Sequence, residues 1–520
     1  MPACQRPHGG FGCGLMLTSL GDTIAALATP VGTSAIALLR VSGPLAEPIA
    51  RELLAADSSQ MEAAGGEQES TGNKTGRATA REFLETVSPS ACANERTASK
   101  ASRMTPRTAL RADYRDRSGT LLDDVLLTFF RAPASYTGED VLEISCHGNP
   151  FIAQKILEDL VERGCRHAAP GEFTQRAFLS GNMDLAQAEA VMDLIHARGE
   201  RALAAANQQL RGALGRHMQA LIDGLLAALA RIEAYIDFPE EDLPPEDQNW
   251  VGKQIEKLQG SVSKLLQTNH YGTILREGLR VALLGEPNVG KSSLLNALLG
   301  RDRALVSPIP GTTRDYLEEP LLLGGYAFRL IDTAGLNEKP EEIEQQGIEK
   351  SLALIEEADL LLLVIDASQP GFPALPDSVC AALTPARALL VANKSDLLAP
   401  NITFPIDYEQ LNLPKLPQVS TSAVTEAGLD DLRAALISHA ESFYVEHGAD
   451  LIAINARHTD ALSRAKDGLA QSLAQLRTQA PIELVASELR GVLDALGEIA
   501  GRVDNERMLD QLFASFCIGK

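Results

Sequence analysis

Apolar residues recur along this chain with two periods, and the change from one to the other marks its divisions. Residues 23–41 hold two short apolar runs separated by Pro30 and Gly32, and residues 121–130 and 141–146 are further strand-type runs. They predict a small α+β unit over residues 22–181, behind an N-terminal extension of residues 1–21. Residues 56–108 are rich in Ala, Ser, Thr, Gly and Glu, with few large apolar side chains. Such a segment buries too little to offset its ordering entropy, so a disordered insertion is expected there.

From Leu210 the period changes. Leu214, Met218, Leu221, Leu225, Leu229, Ile232 and Ile236 are spaced three or four apart, as on one face of a long helix that Phe238-Pro239 ends. Val251, Ile255, Leu258, Val262 and Leu265 continue the pattern, which returns only over residues 462–476 and 484–499. This predicts a helical domain, residues 182–275 and 446–520, interrupted by an inserted α/β domain at 276–445. Two independent helical hairpins are the simpler alternative.

The insert carries the chemistry. A strand-like run over residues 279–284 precedes Gly285-Glu286-Pro287-Asn288-Val289-Gly290-Lys291-Ser292 and a helical stretch from Ser293 to Leu299. Strand, glycine loop and helix in this order make a P-loop. Backbone N–H groups of Asn288, Val289, Gly290 and Ser293 would curl round phosphates, Lys291 would neutralise the outer two, and the Ser292 hydroxyl would ligate magnesium. Downstream, Ser307-Pro308-Ile309-Pro310-Gly311-Thr312-Thr313 offers a second magnesium hydroxyl, Thr313, that would let go once the γ-phosphate leaves. Asp332-Thr333-Ala334-Gly335 adds a carboxylate that holds magnesium through water and an N–H near the γ-phosphate, although alone such a turn is as readily a loop. Asn393-Lys394-Ser395-Asp396 supplies a carboxylate for the imino and amino hydrogens of guanine, and Ser422-Ala423 a further base contact. Adenine offers no such donor pair, so the four elements specify GTP. Leu336 stands where small signalling GTPases have a glutamine that orients water, so another group must do that; the acidic run 338–344 is a candidate, or simply a solvated helix start.

Charge narrows the partners. The 520 residues carry a formal net charge of −22, against bulk electrostatic binding of nucleic acid, so any RNA contact must be local. The seven scattered cysteines, Cys4, Cys13, Cys92, Cys146, Cys165, Cys380 and Cys517, lack zinc or disulfide spacing, and no apolar run reaches the roughly 18–20 residues of a membrane span. A cytoplasmic protein with no membrane partner is expected.

Several separated motifs resemble those of the MnmE (TrmE) family of tRNA modification GTPases. They are Asp22-Thr23-Ile24-Ala25-Ala26, Leu39-Arg40-Val41-Ser42-Gly43, residues 136–143 around Thr137-Gly138-Glu139-Asp140, Pro170-Gly171-Glu172-Phe173, residues 184–190, and the ending Phe516-Cys517-Ile518-Gly519-Lys520. The resemblance implies an N-terminal folate-binding and dimerisation domain, a helical domain and an inserted Ras-like G domain. It implies GTP hydrolysis coupled to installing aminomethyl-type groups at carbon 5 of the wobble uridine of certain tRNAs. A homodimer would join a flavin-dependent partner, MnmG, in a heterotetramer. By resemblance Glu344 falls on the catalytic glutamate beside Lys291, and Asn288, Ser307, Ile309 and Thr312 on a potassium site formed when two G domains meet. Arg40, Glu143, Asn182 and Lys520 fall on contacts to a one-carbon tetrahydrofolate, in the 5-formyl or methylene form, with Asn182 where Lys or Arg is frequent. Cys517 matches a terminal cysteine suspected in the modification chemistry; a small buried hydrophobe in the last helix is the alternative. The chain departs from the family at Asn337, in the insertion and in the extension. Outside the family, a ribosome-assembly or signalling switch, or a folate enzyme with a regulatory GTPase, would share the nucleotide motifs.

Overall fold

The computed structural model describes residues 21–64, 104–237, 245–300, 318–332, 354–369, 377–398, 414–445, 452–501, 512–514 and 516–519. They fall into two compact units, one from the chain up to Asp184 together with the segment after Arg502, the other from Leu185 to Arg502.

In the first unit, strands β1 (Ile24–Leu27), β2 (Ile36–Ser42), β3 (Ala109–Arg115), β4 (Leu121–Phe130), β5 (Val141–His147) and β6 (Arg166–His167) form one sheet in the order β3-β4-β5-β2-β1-β6. Period-two alternation sorts the side chains. Leu39 and Val41 of β2 are fully buried in a core with Ile49 and Leu53 of α1 (Ala46–Ala64) and Ile156 and Leu160 of α2 (Pro150–Glu162). Burying each such aliphatic side chain contributes about 1.5–3 kcal/mol. Arg40, between them, therefore turns to the opposite face, directly across the ladder from Glu143. Of the residues expected to form a disordered insertion, 56–64 lie in α1, which runs to Ala64, and 104–108 lead through a turn into β3. Residues 65–103 lie outside the described residues.

In the second unit, α4 (Leu185–His196), α5 (Glu200–Leu210), α6 (Ala213–Asp237), α7 (Pro245–Gln267) and α8 (Asn269–Glu277) precede the insert. The helices Ala456–Arg477 and Ile482–Ala500 follow it. Leu221, Leu225 and Ile255 share one core with Leu462, Leu469, Val485 and Leu489, so helices from both sides of the insert pack together rather than as separate hairpins. The segment expected as one helical stretch, residues 446–520, divides. Its helices end at Ala500, and residues 512–519 belong to the first unit. Phe513 and Phe516 are buried: the Phe513 ring centroid lies 6.4 Å from that of Phe178 on helix α3 (Glu172–Leu179), and the Gly171 N–H lies 3.3 Å from the Cys517 carbonyl. Cys517 is exposed and outside any helix, against its reading as a buried helical residue.

Among its described residues the insert holds a six-stranded sheet in the order β12-β11-β10-β7-β9-β8. Its strands are β7 (Leu279–Leu284), β8 (Glu318–Leu323), β9 (Tyr326–Asp332), β10 (Leu360–Asp366), β11 (Ala388–Asn393) and β12 (Gln418–Ser420), parallel except for β8. The central strands read as unbroken apolar runs because both faces are covered.

Where the insert joins the helices, side chains clamp the outgoing segment. Thr268 Oγ1 donates to the Ile452 carbonyl at 2.8 Å, and the Arg276 guanidinium donates to that of Ile454. Beside them Glu189 accepts from Arg457 Nε and Nη2 at 2.8 and 3.0 Å and from His458 Nε2 at 2.8 Å. The Asn455 N–H points at His458 Nδ1, which makes Nε2 the protonated nitrogen. Burial alone would raise the Glu189 pKa, but His458 and Arg457 outweigh it and hold the carboxyl at about 2, below the ordinary 4.5. A depressed folded-state pKa contributes stability that is complete above the unfolded value and lost as pH falls toward the folded one. Acid titration from pH ~5 to ~2 is therefore expected to remove about 3 kcal/mol more unfolding free energy from the native protein than from Glu189→Gln. Parallel acid profiles of the two proteins would contradict this.

Candidate functional site

The loop from β7 into helix α9 (Lys291–Leu299) is shaped by two glycines. Gly285 has φ +146°, and a Cβ there would lie 2.2 Å from the Val364 carbonyl; Gly290 has φ +95°, and its Cβ would lie 2.4 Å from Asn393 Nδ2. No other residue fits either place. Gly290 caps α9 without a side-chain bond, so the first N–H groups of the helix remain open to an anion. Val289 is buried and Asn288, at φ +67°, and Ser293 are exposed.

Lys291 is 6% exposed, and its Nζ donates to the Gly285 and Glu286 carbonyls at 2.8 and 2.9 Å. Two of its three N–H donors thus hold it along the loop, leaving one for a phosphate oxygen. Burial lowers its pKa, with Asp332 acting in the opposite sense. The parallel register Leu283↔Asp332 brings β9 beside the loop, where the Ser292 hydroxyl donates to Asp332 Oδ2 at 2.8 Å. A hydroxyl and a carboxylate converging next to a phosphate cradle are the hard oxygen donors that magnesium takes.

Across the sheet, Asn393 is 1% exposed and works as an internal tie. Its Nδ2 donates to the Val289 carbonyl at 2.9 Å, while its Oδ1 accepts from the Ala423 N–H at 3.2 Å. The phosphate loop and the Ser422-Ala423 loop are thereby fixed to one side chain. The Ser422 hydroxyl is turned inward, accepting from the Thr425 N–H at 3.1 Å. Lys394 has φ +62° and swings the chain into a short 3₁₀ turn, Ser395–Leu397. On that turn Asp396 is exposed, and its carboxylate takes no hydrogen bond among the described residues. A carboxylate so presented can accept two hydrogen bonds in one plane from a base edge.

Ser307, Pro308, Ile309, Pro310, Gly311, Thr312, Thr313, Thr333, Ala334, Gly335 and Glu344 lie outside the described residues, as do Leu336 and Asn337. The described residues are therefore those expected to meet the phosphates and the base.

In the first unit, Arg40 Nη2 and Nε meet Glu143 Oε1 at 2.8 and 3.1 Å. The guanidinium carbon lies 5.3 Å from the Tyr136 ring centroid and 5.7 Å from that of Phe173. Asn182 Nδ2 donates to the Ser135 and Tyr136 carbonyls at 3.1 and 3.3 Å, so its amide holds the loop that presents Tyr136. The Cys517 carbonyl accepts from the Gly171 N–H, two residues before Phe173; Lys520 lies outside the described residues. A planar cation and a carboxylate flanked by two aromatic rings fit a flat heterocycle with polar edges.

Residues 185–517 match the family model "MnmE helical domain", and residues 23–182 match "GTP-binding protein TrmE N-terminus". The tRNA modification GTPase MnmE of Opitutus terrae is 49% identical over 96% of this chain and 99% of its own length. The chain belongs to the MnmE family of tRNA modification GTPases. Proteins of the same name from Akkermansia muciniphila and Chlorobium chlorochromatii are 42% and 39% identical, over 97% and 96% of this chain and 100% and 98% of theirs. In this MnmE-family chain, motif reading reached the loop residues but missed those that brace them. Asp366 ends β10 in register with Asn393 and pairs with Lys394 Nζ at 2.7 Å. Thr421 approaches Asn393 Oδ1 at 3.4 Å. The available signal was a polar residue ending each of two adjacent apolar strands.

Proposed function

We propose that this chain is a GTP-hydrolysing tRNA modification enzyme that works with the flavin-dependent MnmG on the wobble uridine of its substrate tRNAs. The product groups are aminomethyl or carboxymethylaminomethyl at carbon 5, and the carbon comes from a one-carbon tetrahydrofolate. GTP hydrolysis and tRNA modification rest on membership of the MnmE family, and that membership is the observation that carries the reading.

The described side chains have definite parts in it. Lys291 and the open N–H groups of α9 hold the phosphates, and the Asp396 carboxylate accepts the imino and amino hydrogens of guanine. Ser292 and Asp332 would hold magnesium, which supplies charge stabilisation to the transferring phosphoryl group. Asn288 would join Ser307, Ile309 and Thr312 around potassium, and Glu344 would orient the attacking water. Arg40, Glu143 and Lys520 would contact the folate, with Asn182 supporting Tyr136. A homodimer in the cytoplasm, assembled with MnmG into a heterotetramer, is the proposed working form. Among the described residues no helix is long and apolar enough to cross a membrane.

One reconstitution tests this reading: the chain, MnmG, unmodified tRNA, folate, GTP and magnesium, in potassium or in sodium, followed by base analysis. The modified uridine should form in potassium and fail without folate. Turnover of GTP with no change at the wobble base would support a nucleotide switch instead, and equal turnover in both salts would remove potassium from the site.

A further inference from the structure

Guanine selection by this site depends on where Asp396 is held, and Asp396 is carried by a strained residue. Lys394 adopts φ +62°, a left-handed conformation unfavourable for any residue with a Cβ. Backbone bonds from Ser395 N to Thr421 O and from Leu397 N to Lys394 O, both 3.0 Å, hold the turn after it. The side chain is held by Asp366. That carboxylate is 9% exposed; Oδ2 lies 2.7 Å from Lys394 Nζ, and Oδ1 accepts the Ser368 N–H and hydroxyl at 3.0 and 2.6 Å. Three donors outweigh the burial that would raise its pKa, which is lowered, so it stays ionised.

We propose that Asp366 is a specificity-positioning residue: by anchoring Lys394 in its left-handed turn it fixes the Asp396 carboxylate in the plane of the guanine edge. The inference rests on the reading of this site as a guanine-nucleotide site. Asp366 would act through Lys394 rather than on the nucleotide. It ends β10 level with Asn393, so sheet register sets the anchor, and the ion pair transfers that position across to the recognition turn. Without the anchor, Lys394 is free to relax toward commoner backbone angles, and Asp396, two residues on, shifts with it.

Inosine triphosphate tests the alignment, because it lacks the exocyclic amine and so forfeits one of the two hydrogen bonds to Asp396. The native protein should bind GTP about 10- to 100-fold more tightly than inosine triphosphate. In Asp366→Asn, GTP binding should weaken about tenfold and the preference should shrink to about threefold or less. Lys394→Met should do the same, and the double variant should be no worse than either single one, as for two residues acting through one contact. An unchanged GTP preference in Asp366→Asn and Lys394→Met would overturn the proposal, whether or not the variants melt earlier or bind both nucleotides more weakly. Additive losses in the double variant would overturn it too. A native protein that fails to prefer GTP would instead defeat the reading of the site as a guanine site.

Discussion

Asp396→Asn is expected to lose GTP and gain xanthosine triphosphate. The carboxylate stands exposed on the 3₁₀ turn, where its two oxygens would accept the guanine imino and amino hydrogens. A hydrogen bond to a charged group is worth about 1.5–3 kcal/mol, so losing the charge and setting an amide donor against the guanine amine weakens GTP binding by about 10²- to 10⁴-fold. Asparagine keeps one acceptor and adds a donor. Xanthine carries a carbonyl where guanine carries its amine, so the altered edge complements it. Competition against labelled GDP reads both changes, and an Asp396→Asn protein that still ranks GTP first would remove Asp396 from the base site.

Lys291→Ala is expected to lower GTP turnover by about 10²- to 10³-fold, the loss that accompanies removal of one preorganised charged donor from a phosphate transition state. The ammonium is nearly buried and already aligned by the Gly285 and Glu286 carbonyls, so little reorganisation would precede its contact with phosphate. Folding should change little, because the loop around it is partly open to solvent and can hydrate those carbonyls. Single-turnover hydrolysis with saturating GTP separates chemistry from binding, and turnover within threefold of native would contradict the assignment.

What could be read from the sequence follows from which signals are local. The P-loop, the strand before it and the helix after it are contiguous in sequence, and the observed β7 and α9 fall at or close to the expected residues. Helix α6 was equally legible, since its apolar face repeats every turn and Pro239 lies just beyond its end at Asp237. Strand β3 was missed because Ala109–Arg115 alternates with charged residues at the edge of a polar stretch, and its identity comes from pairing with β4. The return of Phe513 and Phe516 to the first unit was invisible for a related reason: nothing near them in sequence names the α3 surface they cover. Within the site, Asn393 and Lys394 belong to the motif expected to meet guanine. Only the fold reveals that Asn393 ties two loops together and that Asp366 restrains Lys394. Motifs name residues that meet a ligand, whereas bracing partners are set by sheet register between distant strands.

The central claim is that a glycine-arched loop with Lys291 encloses a triphosphate while Asp396 selects its purine. Equilibrium competition between GTP and ATP for the purified native protein, with magnesium present, measures both halves at once. GTP should displace labelled GDP at concentrations about a thousandfold or more below those ATP requires. Equal displacement by the two, or displacement by neither, would contradict the account.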